Sequence, residues 1–523
     1  MAKVWVWKLR LALPRLAVGL LVVVLGAVLA LWPLKWAMAL LAGSAMLVVL
    51  LIQPQVVLFL LAFAVPFGSI RQVSLGPVSV GLAEPLIMLL GALWLARMVV
   101  ARRIVFPRAS LALPLLLFLF AILLSTLGAI SFELSAKELV KWLEVLIIYL
   151  FMASMLDARH GRWVVWAVLA AGSAEALLGV YQFLRRVGPE GFVLFGRFMR
   201  AYGHFAQPNP FAGYLGLVLP MAYSLTLEAW TAWRSGVRTA RSGARSALVR
   251  LAPYMAAVAA FAVMLAAMVM SWSRGGWVGM AAALLAITVL RSRTALIGAA
   301  AVGLVVAYLL LIGGAQYVPS SLLTRFADFL PYLGGVDVTA VQVTDANWAV
   351  IERMAHWQAA LGMFTDHPWL GVGIGNYPLA YPQYALGRWQ DPLGHAHNYY
   401  LNIAAEAGLL GLGAYLLLFG ACMAYAWRVI RRSSWRIQDL SGCHLDGSKD
   451  PAASEIEALR CAPDDASMTL PQRRWWRAVA LGLLGVLVHL SVHNLFDNLF
   501  VHSMHVQLAL ALGLLYVADK GSS

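Results

Sequence analysis

The stretch GHAHNYYLNIAAEAGLLG, Gly394 to Gly411, passes from a polar loop with two histidines and an asparagine into an apolar helix. His397 and Asn398 stand at its opening. An apolar helix entered in this way is a membrane helix met at the water interface, and it sets the fold class. A polar side chain at this position can cap the helix. An imidazole here also faces the positive end of the helix dipole, which favours its neutral form and leaves a lone pair for a proton. Capping and general-base readings both follow from these residues alone.

The chain around it has 523 residues, 62% hydrophobic and 12% charged, with a mean hydropathy of +0.79. These values exclude a water-soluble domain. Apolar runs of about 17 to 25 residues recur between loops with Arg, Pro and Gly, which is the pattern of spanning helices; no alternating barrel pattern is seen. The fold class expected is all-α, a polytopic membrane helical bundle of about 12–14 spans with a long extracytoplasmic loop containing amphipathic helices. Helices are expected near 16–32, 34–52, 54–68, 80–97, 111–130, 138–156, 163–184, 209–229, 253–271, 276–291, 295–313, 399–427, 477–493 and 499–517. The first is read as a retained helix, since no cleavage site follows it.

The net charge of +15 would suggest nucleic acid in a soluble protein. Here it tracks the side of the membrane, and no nucleic-acid partner is expected. With a cytoplasmic N-terminus, the inner segments hold the larger share of Lys and Arg. The domains expected are an N-terminal transmembrane bundle over 1–313, an extracytoplasmic catalytic loop over 314–397, and C-terminal transmembrane helices over 398–523 with a cytoplasmic insert at 429–476. The acidic, Pro-containing part of that insert, 437–470, reads as a flexible segment without chemistry. Cys422, Cys443 and Cys461 form neither a disulfide framework nor a zinc spacing.

The long outer loop is rich in aromatic and turn residues, as functional loops are. Within it, NWAVIERMAHWQAALGMFTDHP (347–368) has Trp348, Ile351, Ala355, Leu361 and Phe364 near helical spacing, so an amphipathic helix on the membrane surface is expected. The following LGVGIGNYP (370–378) contains GxGxG, but no strand precedes it, so it reads as a tight glycine turn rather than a dinucleotide fingerprint.

Several arginines break the inward bias. Arg185, Arg186, Arg197 and Arg200 precede AYGHFAQPNPFAGY, Arg274 sits in SWSRGGW, and Arg353 lies in the loop helix. A cation near the outer end of a span requires an anion or water, and a guanidinium fork matches phosphate. Arg185 and Arg186 read as interfacial snorkels. Arg200 and Arg274 stand beside turn residues, Gly203, Pro208 and Asn209 in one case and Gly275 and Gly276 in the other, which let backbone amides approach an anion. Lys137 and Lys141, flanked by Glu138 and Glu144, read as a paired helix face. Toward the C-terminus, His489, His493 and Asp497 recur at helical spacing. A polar wall beneath His397, an interhelical hydrogen-bond network and a metal site are the alternatives there.

Four motifs together resemble the O-antigen ligase and polymerase superfamily, integral membrane glycosyltransferases of the GT-C type. They are GHFAQPNPFAGY (203–214), SWSRGG (271–276), ERMAHWQAALGMFTDHPWLGVGIGNY (352–377) and HAHNYYLNIAAEAGLLG (395–411). The resemblance implies transfer of a glycan from undecaprenyl-pyrophosphate to an acceptor hydroxyl, on lipid A core or a similar glycan or glycolipid. The reaction it implies takes place on the outer face of the bacterial cytoplasmic (inner) membrane, with inversion and with neither cofactor nor metal. It places the base on His397 or His395 and the pyrophosphate on Arg200 and Arg274. From the residues themselves, Arg353, Asn398, Asn209, His493 and Asp497 are expected around the substrates. A polysaccharide polymerase and a lipid-linked glycan transporter are the alternatives; a transporter would be expected to show inverted repeats, and none is found.

Overall fold

The computed structural model describes residues 33–68, 73–75, 78–103, 107–238, 244–292, 337–344, 347–442 and 469–522, with scattered positions before 33 and between 296 and 308. The expected first helix, most of the expected helix at 295–313, the front of the outer loop and most of the acidic insert lie outside the described residues. The chain divides into two compact units, 1–58 and 59–523. Helix α1 (Leu34–Ile52) occupies the first, and α2 (Gln55–Phe67) begins at its end.

Within the second unit follow α3 (Ala83–Val100), α4 (Ala112–Ser125), α5 (Phe132–Met155), α6 (Ala158–Arg185), α7 (Pro208–Gly216), α8 (Leu219–Arg238), α9 (Ala244–Met270) and α10 (Arg274–Arg291). After the outer loop come α11 (Trp348–Asp366), α12 (Tyr377–Tyr384), α13 (Tyr399–Gly442), α14 (Leu470–His493) and α15 (Met504–Ser522). Two short antiparallel hairpins, 73–80 and 193–199, are the only strands among the described residues. The protein is therefore an all-α polytopic membrane protein. Seven of the described helices are long and apolar enough to cross a membrane. Of the other expected helices, those at 16–32 and 295–313 lie largely outside the described residues, α4 is short, and α5 carries Glu133, Lys137, Glu138, Lys141 and Glu144 in its first half.

The core of the second unit is built from α14, which packs against α8, α10, α13 and α15. Its buried face includes Trp476, Leu483, Val486, Leu490 and His493. Helix α11 has the bounds its periodicity indicated. Its buried stripe, however, is Ile351, Ala355, Ala359 and Met363, and it packs on α13. Trp348 and Leu361, expected in the apolar stripe, stand outward.

The glycine turn is what fastens this loop to the bundle. Gly371, Gly373 and Gly375 all have positive φ, and a Cβ on each would lie within 3 Å of a neighbour's backbone: Glu406, Ala129 and Leu134 respectively. Only glycine fits at such approaches. Hydrogen bonds then seal the passage. Val372 N donates to Ala405 O, Ile374 N to Ser125 Oγ, Ser135 Oγ to Ile374 O, and Tyr377 N to the buried Glu406. Helix α13 breaks its own ladder at Gly408 (φ 62°, ψ −161°) to admit this chain. There the Leu409 N–H is satisfied by Pro368 O at 2.8 Å.

Gly408→Ala is expected to lower the thermal midpoint by several degrees, since its Cβ would lie 2.3 Å from the Trp369 carbonyl carbon and such overlap costs about 1–3 kcal/mol. Gly420→Ala, with nothing within 4 Å, is the control. Equal midpoints for both variants would show that the passage is not tightly packed.

Candidate active site

The loop before α13 is held in a strained form. His397 has φ 50°, a left-handed conformation that costs a non-glycine residue free energy and clusters at functional sites. Asn398 caps α13, its Oδ1 accepting from Tyr400 N and Leu401 N. The helix start is pinned to the end of α14, where Tyr399 N donates to Asn494 O at 2.8 Å and Tyr400 Oη to Ser491 O at 2.9 Å. This junction brings Asp497 to His397 across a hundred residues of chain, with Oδ1 3.3 Å from His397 Nδ1.

The hydrogen bonds assign tautomers. His397 N donates to His395 Nδ1 at 3.1 Å, so that nitrogen carries the lone pair and Nε2 carries the proton. The contact with Asp497 is made by a donating His397 Nδ1–H, which leaves His397 Nε2 as the lone pair free for a proton. Burial, then the neighbouring His397, push His395 down to about 4. Burial alone would raise the Asp497 carboxyl. The hydrogen bond from His397, with His395 and Arg353 close by, outweighs it and holds Asp497 well below the usual carboxylate range.

Arg200 and the turn before Arg274 come together from separate motifs. The hairpin of Val193–Leu194 and Phe198–Met199 delivers Arg200, whose Nε donates to Ser271 O at 2.9 Å and Nη2 to Asn209 Oδ1 at 3.0 Å. Ala201 N also donates to Met270 O. Ser271 lies in the turn that leads into Arg274, the first residue of α10, which Ser273 caps. His493, the last residue of α14, closes the gap between this turn and His397. A Cβ on Gly275 would lie 2.7 Å from the His493 ring, and Asp497 N donates to His493 O. Arg353 is an electrostatic neighbour of Asp497, His395 and His493. Its Nε is buried without a hydrogen-bond partner.

The structure thus gathers His395, His397, His493, Asp497 and Arg353 into one cluster, and sets the paired Arg200 and Asn209 beside the turn to Arg274 that abuts it. Asn398 spends its side-chain oxygen on the helix cap. Lys137 and Lys141 pair with Glu133 and Glu138, and Arg185 and Arg186 are exposed. His489 stacks edge-on against His493, with Nε2 3.3 Å from its Nδ1. It fills the space left by Gly216 and Gly279. His395, His397 and Asp497 also offer ligand atoms all within 4.8 Å of one another, a spacing that could hold a divalent cation.

Two features were not singled out from the sequence. His356, fully buried on α11, lies with its ring 5.8 Å from that of His397 and stacks on Tyr381 at 4.6 Å. Its Nδ1 meets Tyr377 Oη at 2.9 Å, and burial followed by His397 pushes it down to about 4. Its signal was available, since it is the one imidazole in an otherwise apolar stripe. Glu175, buried in α6, accepts from His204 N and lies 2.8 Å from His204 Nδ1, tying down the loop after Arg200. Only the tertiary structure reveals that link.

The fold and this cluster define an integral membrane protein with a histidine–carboxylate pair near a turn that leads into Arg274 and is bonded by Arg200. Residues 259–416 match the family described as O-antigen ligase. The match includes Arg274, Arg353, His395, His397 and Asn398; Arg200, Asn209, His493 and Asp497 lie outside it. No curated protein matches the chain.

Because His356 and His395 stay neutral to about pH 4 when folded but take up protons near 6.5 when unfolded, stability should be full above pH 6.5. It should fall as pH drops toward 4, by up to about 1.4 kcal/mol per pH unit for each. Thermal midpoints between pH 7 and 5 check this, and His356→Gln should flatten the decline. A midpoint that rises on acidification would contradict the assignment.

Proposed function

We propose that the protein is an O-antigen ligase-like glycosyltransferase, moving a glycan from an undecaprenyl-pyrophosphate carrier to an acceptor hydroxyl on the extracytoplasmic face of the bacterial inner membrane. The observation that carries this reading is the succession in space of Arg200, bonded to Ser271 of the turn before Arg274, of Gly275 against the His493 ring, and of Asp497 bonded to His493 O and 3.3 Å from His397. That run sets cations and an imidazole at one end of the bundle, which is what transfer from a lipid-linked diphosphate to a hydroxyl requires.

The sugar arrives activated by its pyrophosphate. His397 Nε2 takes the proton of the acceptor hydroxyl as its oxygen bonds to the anomeric carbon, and the bond from that carbon to the phosphate oxygen breaks. The electron pair leaves with the diphosphate, whose growing charge Arg200 and Arg274 stabilise; Arg353 adds a third cation. Asp497 orients the imidazole and stabilises it once protonated, as a carboxylate does in a catalytic triad. Attack opposite the leaving group inverts the anomeric carbon. His395, whose Nδ1 lone pair is already engaged, serves as a neutral support rather than the base. The lipid tail stays in the bilayer while its headgroup reaches the helix ends.

Purified protein supplied with undecaprenyl-pyrophosphate glycan and a glycolipid acceptor should lose about 10²-fold or more of its turnover on His397→Ala, and a smaller, still clear, share on Asp497→Asn. Normal turnover by the first variant would remove His397 from the chemistry. Chelation by EDTA should leave the wild-type rate unchanged. A loss restored by added divalent cation would instead make His395, His397 and Asp497 a metal site.

A further inference from the structure

A second cationic cluster lies at the other end of the helices that carry the candidate site. Helix α10 begins at Arg274 and ends at Arg291, and antiparallel to it α14 begins beside Arg473, Arg474 and Arg477 and ends at His493. At 1.5 Å per residue each helix spans about 25–35 Å, close to the roughly 30 Å of a bilayer's hydrocarbon core. The two clusters therefore stand at opposite headgroup levels.

Glu228, 6% exposed on α8, is the carboxylate in this cluster among the described residues. It faces three guanidinium groups, those of Arg291, Arg474 and Arg477. Arg291 is held at 3.3 Å from Glu228 Oε2, and its Nη2 also donates to Leu227 O and Thr231 Oγ1, so its position is fixed by three acceptors. Among the described residues, Arg477 has the shared Glu228 as its opposite charge, with Arg291 and Arg474 as like-charged neighbours. Its Nε is buried and lacks a hydrogen-bond partner. Arg473, 7% exposed, sits one turn before Arg477 on the same helix face.

Guanidinium groups gathered in excess of carboxylate, with a buried N–H left without an acceptor, require an anion. A topology anchor alone would leave these side chains outside the bundle, in water or snorkelling to the headgroups. Here instead they converge between α8, α10 and α14. We propose that this cluster is a binding site for the phosphodiester headgroup of an anionic phospholipid, in the leaflet opposite the transfer site. A phosphodiester offers two oxygens to a guanidinium fork, and basic pockets between spanning helices at the headgroup level are where such lipids dock. Bound there, the lipid ties together the far ends of the two helices that position Arg274 and His493.

The test uses the full chain in nanodiscs of equal phosphatidylglycerol and phosphatidylcholine, with the lipid retained after detergent extraction identified by native mass spectrometry. Wild type should retain phosphatidylglycerol several-fold over phosphatidylcholine. In the Arg474→Gln/Arg477→Gln protein that ratio should fall toward one, while Arg185→Gln, exposed on α6, should keep it. A doubly lysine-substituted protein, Arg474→Lys/Arg477→Lys, keeps the charge and guards against misfolding; it should bind between these limits. Equal retention of both lipids by wild type, or an unchanged ratio in both double variants, overturns the site. Displacement of phosphatidylglycerol by millimolar inorganic phosphate overturns the lipid as its ligand and assigns a soluble phosphate instead.

Discussion

The passage of residues 368–377 through the break in α13 is the constraint on which the outer region rests. Helix α13 gives up its regular ladder at Gly408, and the orphaned backbone groups of its break are satisfied by the entering chain. In return Glu406 holds Tyr377 N, and Tyr377 holds the imidazole of His356. Helices α11 and α12 are thereby fixed over the start of α13, where His397 sits. A buried backbone must find partners for its polar groups, in lipid above all, and this interlock supplies them.

The same economy governs the cluster itself. Three helix ends meet: α10 begins at Arg274, α13 begins just after His397, and α14 ends at His493 with Asp497 four residues beyond. Helix ends are where a membrane bundle can expose polar atoms without burying them in hydrocarbon, so the proposed chemistry stands at the headgroup level of the lipid it would use. Glycine sets the spacing. Gly275 lets the turn carrying Arg274 lie against His493, and Gly216 and Gly279 leave room for His489.

Much of this was legible locally. Apolar length gave α1 its bounds, Asn398 marked the start of α13, and the run from Trp348 to Asp366 showed its period. The glycines of LGVGIGNYP announced a turn. What could not be read were pairings between distant residues. Asp497 was visible as one of a polar stripe, but nothing near it names His397 as its partner. Arg200 and Arg274 were visible as misplaced cations, yet only the tertiary structure shows Arg200 bonded to Ser271, in the turn that leads into Arg274. The stripe of α11 was misjudged for a related reason: periodicity shows that a helix has an apolar face, and α13, rather than lipid, turned out to cover it.

The central claim is that a lipid-linked diphosphate and the lone pair of His397 meet at one place. A cryo-electron microscopy structure of the full chain with undecaprenyl-pyrophosphate glycan bound tests it directly. The account requires the diphosphate to contact Arg200 and Arg274 with the anomeric carbon facing His397 Nε2. A diphosphate seated elsewhere, or a sugar turned away from that imidazole, would contradict it.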